Sequence, residues 1–395
     1  MALRRIAALL VQVLVILAVT AALDLAGGLA CSGRCDFVDN TEHRKKYRIR
    51  HPVYHHALAP DVTVMARWGN TTYPLSTNSL GFRDAAPRTV PKAPPAGWTR
   101  LLLLGDSFTE GQGVPWPDTL AGRLTRALAP RHETVLNGAV SSYATAIYLA
   151  KMRYLLEVEK LAVDRVVLLM DISDPLNDAG WYETTADGRV VDRDSPAVEE
   201  SLPQRLGQWY KRTSLIARLV VRLRDNLHYA GLKAEYEARA DHDGAPFDLA
   251  LVEEKTTGIR DAVWTYDDEA WAAYGQKGRA IAKANLDQLK ALLDARGIPF
   301  TLVVYPWPDQ IFHDPQAPRQ TDFWRAWAAA NGTRFVNLFP LFTDGLSPEK
   351  ALATYFIPYD VHWNAAGHGL VAKALLDALD SPSLDWEKPF SAVRK

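Results

Sequence analysis

At 395 residues the chain is long enough for one large domain or two modest ones. A hydrophobic content of 48% and a charged content of 23% are ordinary for a globular protein. Lys+Arg of 45 against Asp+Glu of 46 leaves a net charge of -1, which excludes the basic excess a nucleic-acid binder needs, so no nucleic acid is expected as a partner.

Arg4 and Arg5 precede an apolar run from Ile6 to Leu23, broken only by Gln12 and Thr20. That length is near the minimum needed to cross a bilayer. The arginines stay cytoplasmic and send everything after Leu25 outward. An uncleaved anchor is expected, placing the chain as a single-pass protein of a bacterial inner membrane with its main domain in the periplasm. Gly28 and Ala30 leave cleavage before Cys31 as the alternative, which would make the protein secreted. Cys31 and Cys35 are the two cysteines and suit a small disulfide in an oxidising compartment. Asp36 and His43 nearby do not complete a zinc pattern, and no metal is expected.

Residues 31–98 read as a juxtamembrane region and linker. His43 to His56 is basic, Thr77 to Asp84 (TNSLGFRD) suits a turn with Phe82 packed inward, and Pro87 to Trp98 is proline-rich and extended. Residues 99–380 form the main domain. Strands are expected at Leu101–Leu104, Thr134–Asn137, Arg165–Met170, Phe300–Tyr305 and Arg334–Leu338. Helices fall between them. Leu120, Leu124 and Leu128 mark one that Pro130 stops. Ala146 to Leu156 is another, Ala280 to Leu293 a third ended by Gly297, Trp324 to Ala330 a fourth, and Val371 to Leu379 a fifth. The alternation predicts an α/β fold of three layers, doubly wound around a mostly parallel five-stranded sheet. An insertion at 180–274 interrupts it, with a basic amphipathic helix near Pro203 to Tyr229 and no strand of the main sheet. It reads as a lid, a docking surface or a packed cap. Residues 381–395 are a tail.

The chemistry centres on LLLLGDSFTEGQG (Leu101 to Gly113). Four leucines read as a buried parallel strand running out into a loop with Ser107 at its carboxyl end, where open α/β sheets place their ligands. A serine hydroxyl becomes a nucleophile when a base takes its proton. The base is sought in FIPYDVHWNAAGHGL (Phe356 to Leu370). His362 precedes the last helix and Asp360 stands two residues earlier, on the same side of an extended loop, where it can hold the imidazole toward Ser107. His368 is read as structural. Trp116, Trp307 and Trp363 either stack on sugar rings or fill core space.

These blocks resemble the SGNH (GDSL-like) hydrolases. GDSFTEGQG matches the block that carries their nucleophile, NGAVSSYAT (Asn137 to Thr145) their second block, and DVHWNAAGH their last. The order is the family's, and the resemblance covers roughly Asn78 to Ala378 outside the insertion. It implies a flavodoxin-like fold and a Ser107, His362 and Asp360 triad. It also implies an oxyanion hole from the backbone N–H groups of Ser107 and Gly138, with Asn137 and Trp363 beside the substrate. The third block departs from the family's G-x-N-D pattern. It reads DISD (Asp171 to Asp174), and Ser173 takes the position of the asparagine that donates to the oxyanion. D-x-H-W is similar to a motif of alginate-type exopolysaccharide O-acetyltransferases, although there it precedes the serine block.

The function expected is a serine esterase that removes acyl groups, chiefly acetyl, from an extracytoplasmic carbohydrate ester through an acyl-serine intermediate and without a cofactor. The alternatives are an O-acetyltransferase of envelope or secreted polysaccharide, with a membrane O-acyltransferase as partner, and a non-catalytic subunit of a polysaccharide assembly complex.

Overall fold

The computed structural model describes residues 2–31, 47–68, 71–193 and 248–388, together with 207, 209, 210, 213–224 and 227. They fall into two compact units, one of residues 1–46 and 196–234 and one of residues 47–195 and 235–395.

The larger unit is built on one sheet. Its strands in chain order begin with β1 (Arg48–His51) and β2 (His55–Leu58), which pair as a separate antiparallel hairpin. Then come β3 (Thr63–Trp68), β4 (Thr71–Thr77), β5 (Arg83–Asp84), β6 (Thr99–Leu104), β7 (Glu133–Asn137) and β8 (Arg165–Met170). A second hairpin, β9 (Tyr182–Thr184) and β10 (Val190–Asp192), also stands outside the main sheet. β11 (Phe300–Val304), β12 (Arg334–Asn337) and β13 (Asp385–Trp386) complete the set. The main sheet runs β13-β12-β11-β8-β6-β7-β5-β4-β3.

Its centre, β7-β6-β8-β11-β12, is parallel throughout and consists of the five expected strands. Numbered along the chain these five lie in the order 2-1-3-4-5, the flavodoxin-like winding. Both faces of the centre are covered. Leu101 to Leu104 and Val166 to Met170 are all fully buried, as continuous apolar runs in a parallel sheet must be. The helix Leu120–Leu128 buries Leu120, Leu124 and Leu128, and Thr119 caps it by accepting from the Gly122 N–H. The last helix, Ala365–Asp380, starts at Asn364, whose side chain accepts from Ala366 and Gly367.

Two expectations are corrected. The sheet has nine strands instead of five, because residues 63–84, expected as linker, add β3, β4 and β5 antiparallel to one edge and β13 adds to the other. Edge strands carry polar side chains outward, so their composition hid them. The turn reading of Thr77 to Asp84 stands: Asn78 Oδ1 accepts from Leu80 and Phe82, its amide donates to Asp84, and Phe82 is buried.

The insertion at 180–274 is divided. Residues 182–192 form the β9–β10 hairpin, and residues 248–274 pack within the larger unit, where Trp264 is fully buried and donates to the carbonyl of Ile172 at 2.8 Å. Residues 215–224 are helical and belong to the smaller unit, and both ends of the Pro203 to Tyr229 helix expected there lie outside the described residues. The smaller unit also holds the helix Ala2–Ala30, whose stretch Val11–Ala30 has a mean hydropathy of 2.2 and is long and apolar enough to cross a membrane. Cys31 is held in a disulfide. Cys35, Asp36 and His43 lie outside the described residues.

Candidate active site

The site lies at the carboxyl ends of β6, β7, β8 and β11. After β6 the chain turns through Gly105 at φ 156°, where a Cβ would lie 2.2 Å from Thr109 Oγ1, so only glycine lets the chain fold this tightly onto its next helical turn. Asp106 caps that turn, Ser107–Glu110, by accepting from the Phe108 N–H at 3.1 Å. Ser107 is thereby fixed at the first helical position, directly above the sheet.

His362 arrives from the opposite end of the chain. The loop before the last helix is tied down by Ile357 N–H to His362 carbonyl at 2.8 Å and by the Asn364 amide, which donates to the carbonyls of Thr354 and Phe356. His362 Nε2 stands 2.8 Å from Ser107 Oγ, and its Nδ1 is 2.5 Å from Asp360 Oδ1. A carboxylate only accepts, so Nδ1 carries the hydrogen and Nε2 is left to accept from the serine hydroxyl. The same Asp360 oxygen accepts the His362 backbone N–H at 2.9 Å. Burial alone would push the imidazole down, but the Asp360 carboxylate, helped by Asp106 and Asp171, holds it above its ordinary value. Burial opposes Asp360's charge as well, yet His362 and the Trp68 indole keep its pKa below the usual carboxylate value.

Trp68 was invisible to sequence reasoning. It ends β3, in the stretch expected as linker, and donates its indole N–H to Asp360 Oδ2 at 2.7 Å, while its ring meets His362 edge-on at 5.0 Å. No motif marks it. The signal that existed was an extended run ending near Trp68, which becomes meaningful only when β3 is placed on the sheet edge.

Beneath Ser107 lies a second group of acids. Asp106 Oδ2 is 3.2 Å from Ser107 Oγ. Asp171 accepts the Ser173 N–H at 2.8 Å, the Tyr305 hydroxyl at 2.5 Å and the Trp307 indole at 2.9 Å. Burial, followed by the charge of Asp171, raises the pKa of Asp106. Asp106 Oδ1 accepts from the Phe108 N–H, and its Oδ2 faces the Ser107 hydroxyl as an acceptor.

The remaining expected residues fare differently. The Gly138 N–H donates to the Leu103 carbonyl at 2.9 Å, so the amide expected in the oxyanion hole is committed to the sheet. Asn137, expected at the substrate, is 1% exposed. Its amide donates to Thr109 and its Oδ1 accepts from Ala139, so it fastens the end of β7 to the nucleophile turn. Trp363, expected at the substrate, is fully buried between Phe108, Tyr305 and Phe342. Trp307 is likewise turned inward, and Trp116 is half-buried. Ser173 is present at the carboxyl end of β8, with its Oγ accepting the Asn177 amide at 3.3 Å. His368 is structural: its Nδ1 accepts the Leu120 N–H at 3.2 Å, and burial pushes its pKa down to about 3.

The loop after Gly138 is clamped by residues with no sequence signature. Lys151, fully buried among the rings of Tyr54, Phe82 and Tyr143, donates to the Gly138 carbonyl at 2.6 Å. Glu110, paired with Arg48, accepts the Ser141 N–H, and His56 donates to the Ser141 carbonyl.

A doubly wound sheet with a serine, a histidine and an aspartate in hydrogen-bonded series at its carboxyl edge defines a serine hydrolase. The chain matches the GDSL-like lipase/acylhydrolase family over residues 103–370 and belongs to that family, whose members are serine carboxylic ester hydrolases. Among solved structures, it is similar to TesA, with 14% identity, a TM-score of 0.38, and coverage of 71% of this chain and 98% of that one. It is also similar to Axe2, an acetylxylan esterase from Geobacillus stearothermophilus, at 15% identity and a TM-score of 0.36 over 73% of this chain and 97% of that one. The esterase EstA from Pseudoalteromonas sp. gives 12% identity and a TM-score of 0.37 over 71% and 96%. No curated protein matches the chain at a significant level.

Proposed function

We propose that the protein removes small acyl groups, chiefly acetyl, from a carbohydrate ester outside the cytoplasm, with the N-terminal helix as its membrane anchor. The observation that carries the chemistry is the 2.8 Å approach of Ser107 Oγ to His362 Nε2. His362 takes the hydroxyl proton as Oγ attacks the acyl carbonyl, and Asp360 steadies the imidazolium. The Ser107 backbone N–H and the Ser173 hydroxyl, whose oxygen already accepts from Asn177, serve the oxyanion. The tetrahedral adduct collapses to acyl-Ser107 as His362 returns the proton to the departing sugar oxygen. Water, deprotonated by His362, then releases the carboxylic acid. The anchor reading rests on the apolar stretch Val11–Ala30 and the arginines before it.

Hydrolysis of p-nitrophenyl acetate tests the reading. Wild type is expected to exceed Ser107→Ala by about a thousandfold or more. Equal rates would support a non-catalytic subunit instead. Labelled acetyl esters followed with and without a polysaccharide acceptor distinguish release into water, which is expected, from transfer to glycan, which would make the protein an O-acetyltransferase.

A further inference from the structure

The insertion returns to the anchor. Within the smaller unit, Asp24 near the end of the helix Ala2–Ala30 accepts the Ile216 N–H at 2.7 Å and the Tyr210 hydroxyl at 3.3 Å. It thereby caps the first turn of helix 215–224 from outside that helix. Arg218, 9% exposed, donates to the Gly28 carbonyl at 3.0 Å and so satisfies an acceptor of the anchor's final turn. The two backbones meet at a glycine pair. A Cβ on Gly28 would lie 1.7 Å from the Thr213 carbonyl oxygen, and one on Gly27 would lie 3.2 Å from Leu215 Cδ2. A helix resting on residues 24–28 sits at the outer end of the Val11–Ala30 span, which rises about 1.5 Å per residue.

The other side of this helix is exposed among the described residues. Ile216, Val220, Leu223 and Leu227, spaced four, three and four apart, are 50%, 60%, 59% and 64% exposed. That spacing draws one apolar stripe. Trp209 and Tyr210, just before it, are also exposed, and such aromatic rings favour the membrane–water boundary. Arg222 and Arg224 flank the stripe, as basic residues do in helices that lie on anionic lipid. The stripe is continuous in character with the apolar surface of the anchor, where Leu14, Ile16 and Leu17 are exposed too. Resting on the reading of residues 2–30 as an anchor, we infer that helix 215–224 lies in the outer lipid interface with Ile216, Val220 and Leu223 among the acyl chains. The insertion is then a second membrane contact beside the anchor.

The full chain, reconstituted in vesicles of phosphatidylethanolamine and phosphatidylglycerol, tests this with a nitrobenzoxadiazole label on Val220→Cys and, separately, on Leu17→Cys. Nitroxide-labelled lipid is expected to remove most of the emission at both positions, and aqueous iodide little at either. Loss to iodide at residue 220 with residue 17 still shielded would overturn the interfacial helix and leave the anchor standing. Loss to iodide at residue 17 would overturn the anchor reading and the inference with it. Shielding of residue 220 from both quenchers, with cross-links between labelled chains, would place a second copy on the stripe and overturn the lipid assignment. Leu223→Cys repeats the measurement on the same stripe, and retained ester hydrolysis reports an intact catalytic domain.

Discussion

Ser107 stands between two acidic regions that share burial and differ in charge. On the loop side, Asp360 is held below the usual carboxylate range by His362 and Trp68, and His362 is raised in return. On the sheet side, burial and then the charge of Asp171 raise the pKa of Asp106 against the opposing pull of His362. Burial is common to both, so it is the partner that decides which carboxyl ionises. The histidines repeat the contrast. His362 and His368, six residues apart and both buried, move in opposite directions because the Asp360 carboxylate outweighs burial at the first, whereas burial at the second is reinforced by the charges of Arg83, His362 and Arg123.

The comparison breaks most visibly at Asp360. Asp360→Asn is expected to lower kcat for p-nitrophenyl acetate by up to about ten-thousandfold, because the amide no longer holds Nδ1–H toward itself. His362 must be neutral to act as base, so activity falls as pH drops through its raised value. Without the Asp360 charge that limb moves to lower pH, and a pH–rate profile whose limb does not move would contradict the assignment. Trp68→Phe keeps the ring and loses the donor to Asp360 Oδ2. A fall in kcat of about tenfold is expected, in keeping with one hydrogen bond to a charged group, with KM little changed.

Stability sharpens the contrast between the histidines. The folded pKa of His368 lies below its ordinary value, so the stability present above pH 6.5 is lost as pH falls toward about 3. The slope is about 1.4 kcal/mol per pH unit. His368→Asn preserves an acceptor for Leu120, and thermal unfolding across that window is expected to show a flatter acid limb. The smallest effect is expected at Asp106. Asn is isosteric with the neutral acid, so Asp106→Asn should keep ester hydrolysis within about threefold, the size of a neutral hydrogen bond's variation. Because the folded pKa is raised, wild type loses this group's contribution as pH rises through it. The variant should therefore unfold at a higher temperature than wild type under alkaline conditions. A collapse of activity in Asp106→Asn would show that the ionised form is needed.

The five central strands were legible along the chain because parallel strands buried on both faces must be apolar end to end, as Leu101 to Leu104 and Val166 to Met170 are. The Ser107, Asp360 and His362 set was legible because its members sit in short motifs whose chemistry needs them. What the chain alone determined, then, is whatever is written locally: core strands, caps such as Thr119 and Asn364, the turn at Asn78, and the residues able to form a triad. Tertiary structure decided which groups meet across the sequence. It took the amide of Gly138 into the sheet and Trp363 into the core, and it brought Trp68 from a polar edge strand to the back of Asp360. It also paired Asp24 with a helix that begins nearly two hundred residues later. The physical reason is that hydrogen-bond partners and burial are properties of distance in space, and no period or spacing along the chain encodes them.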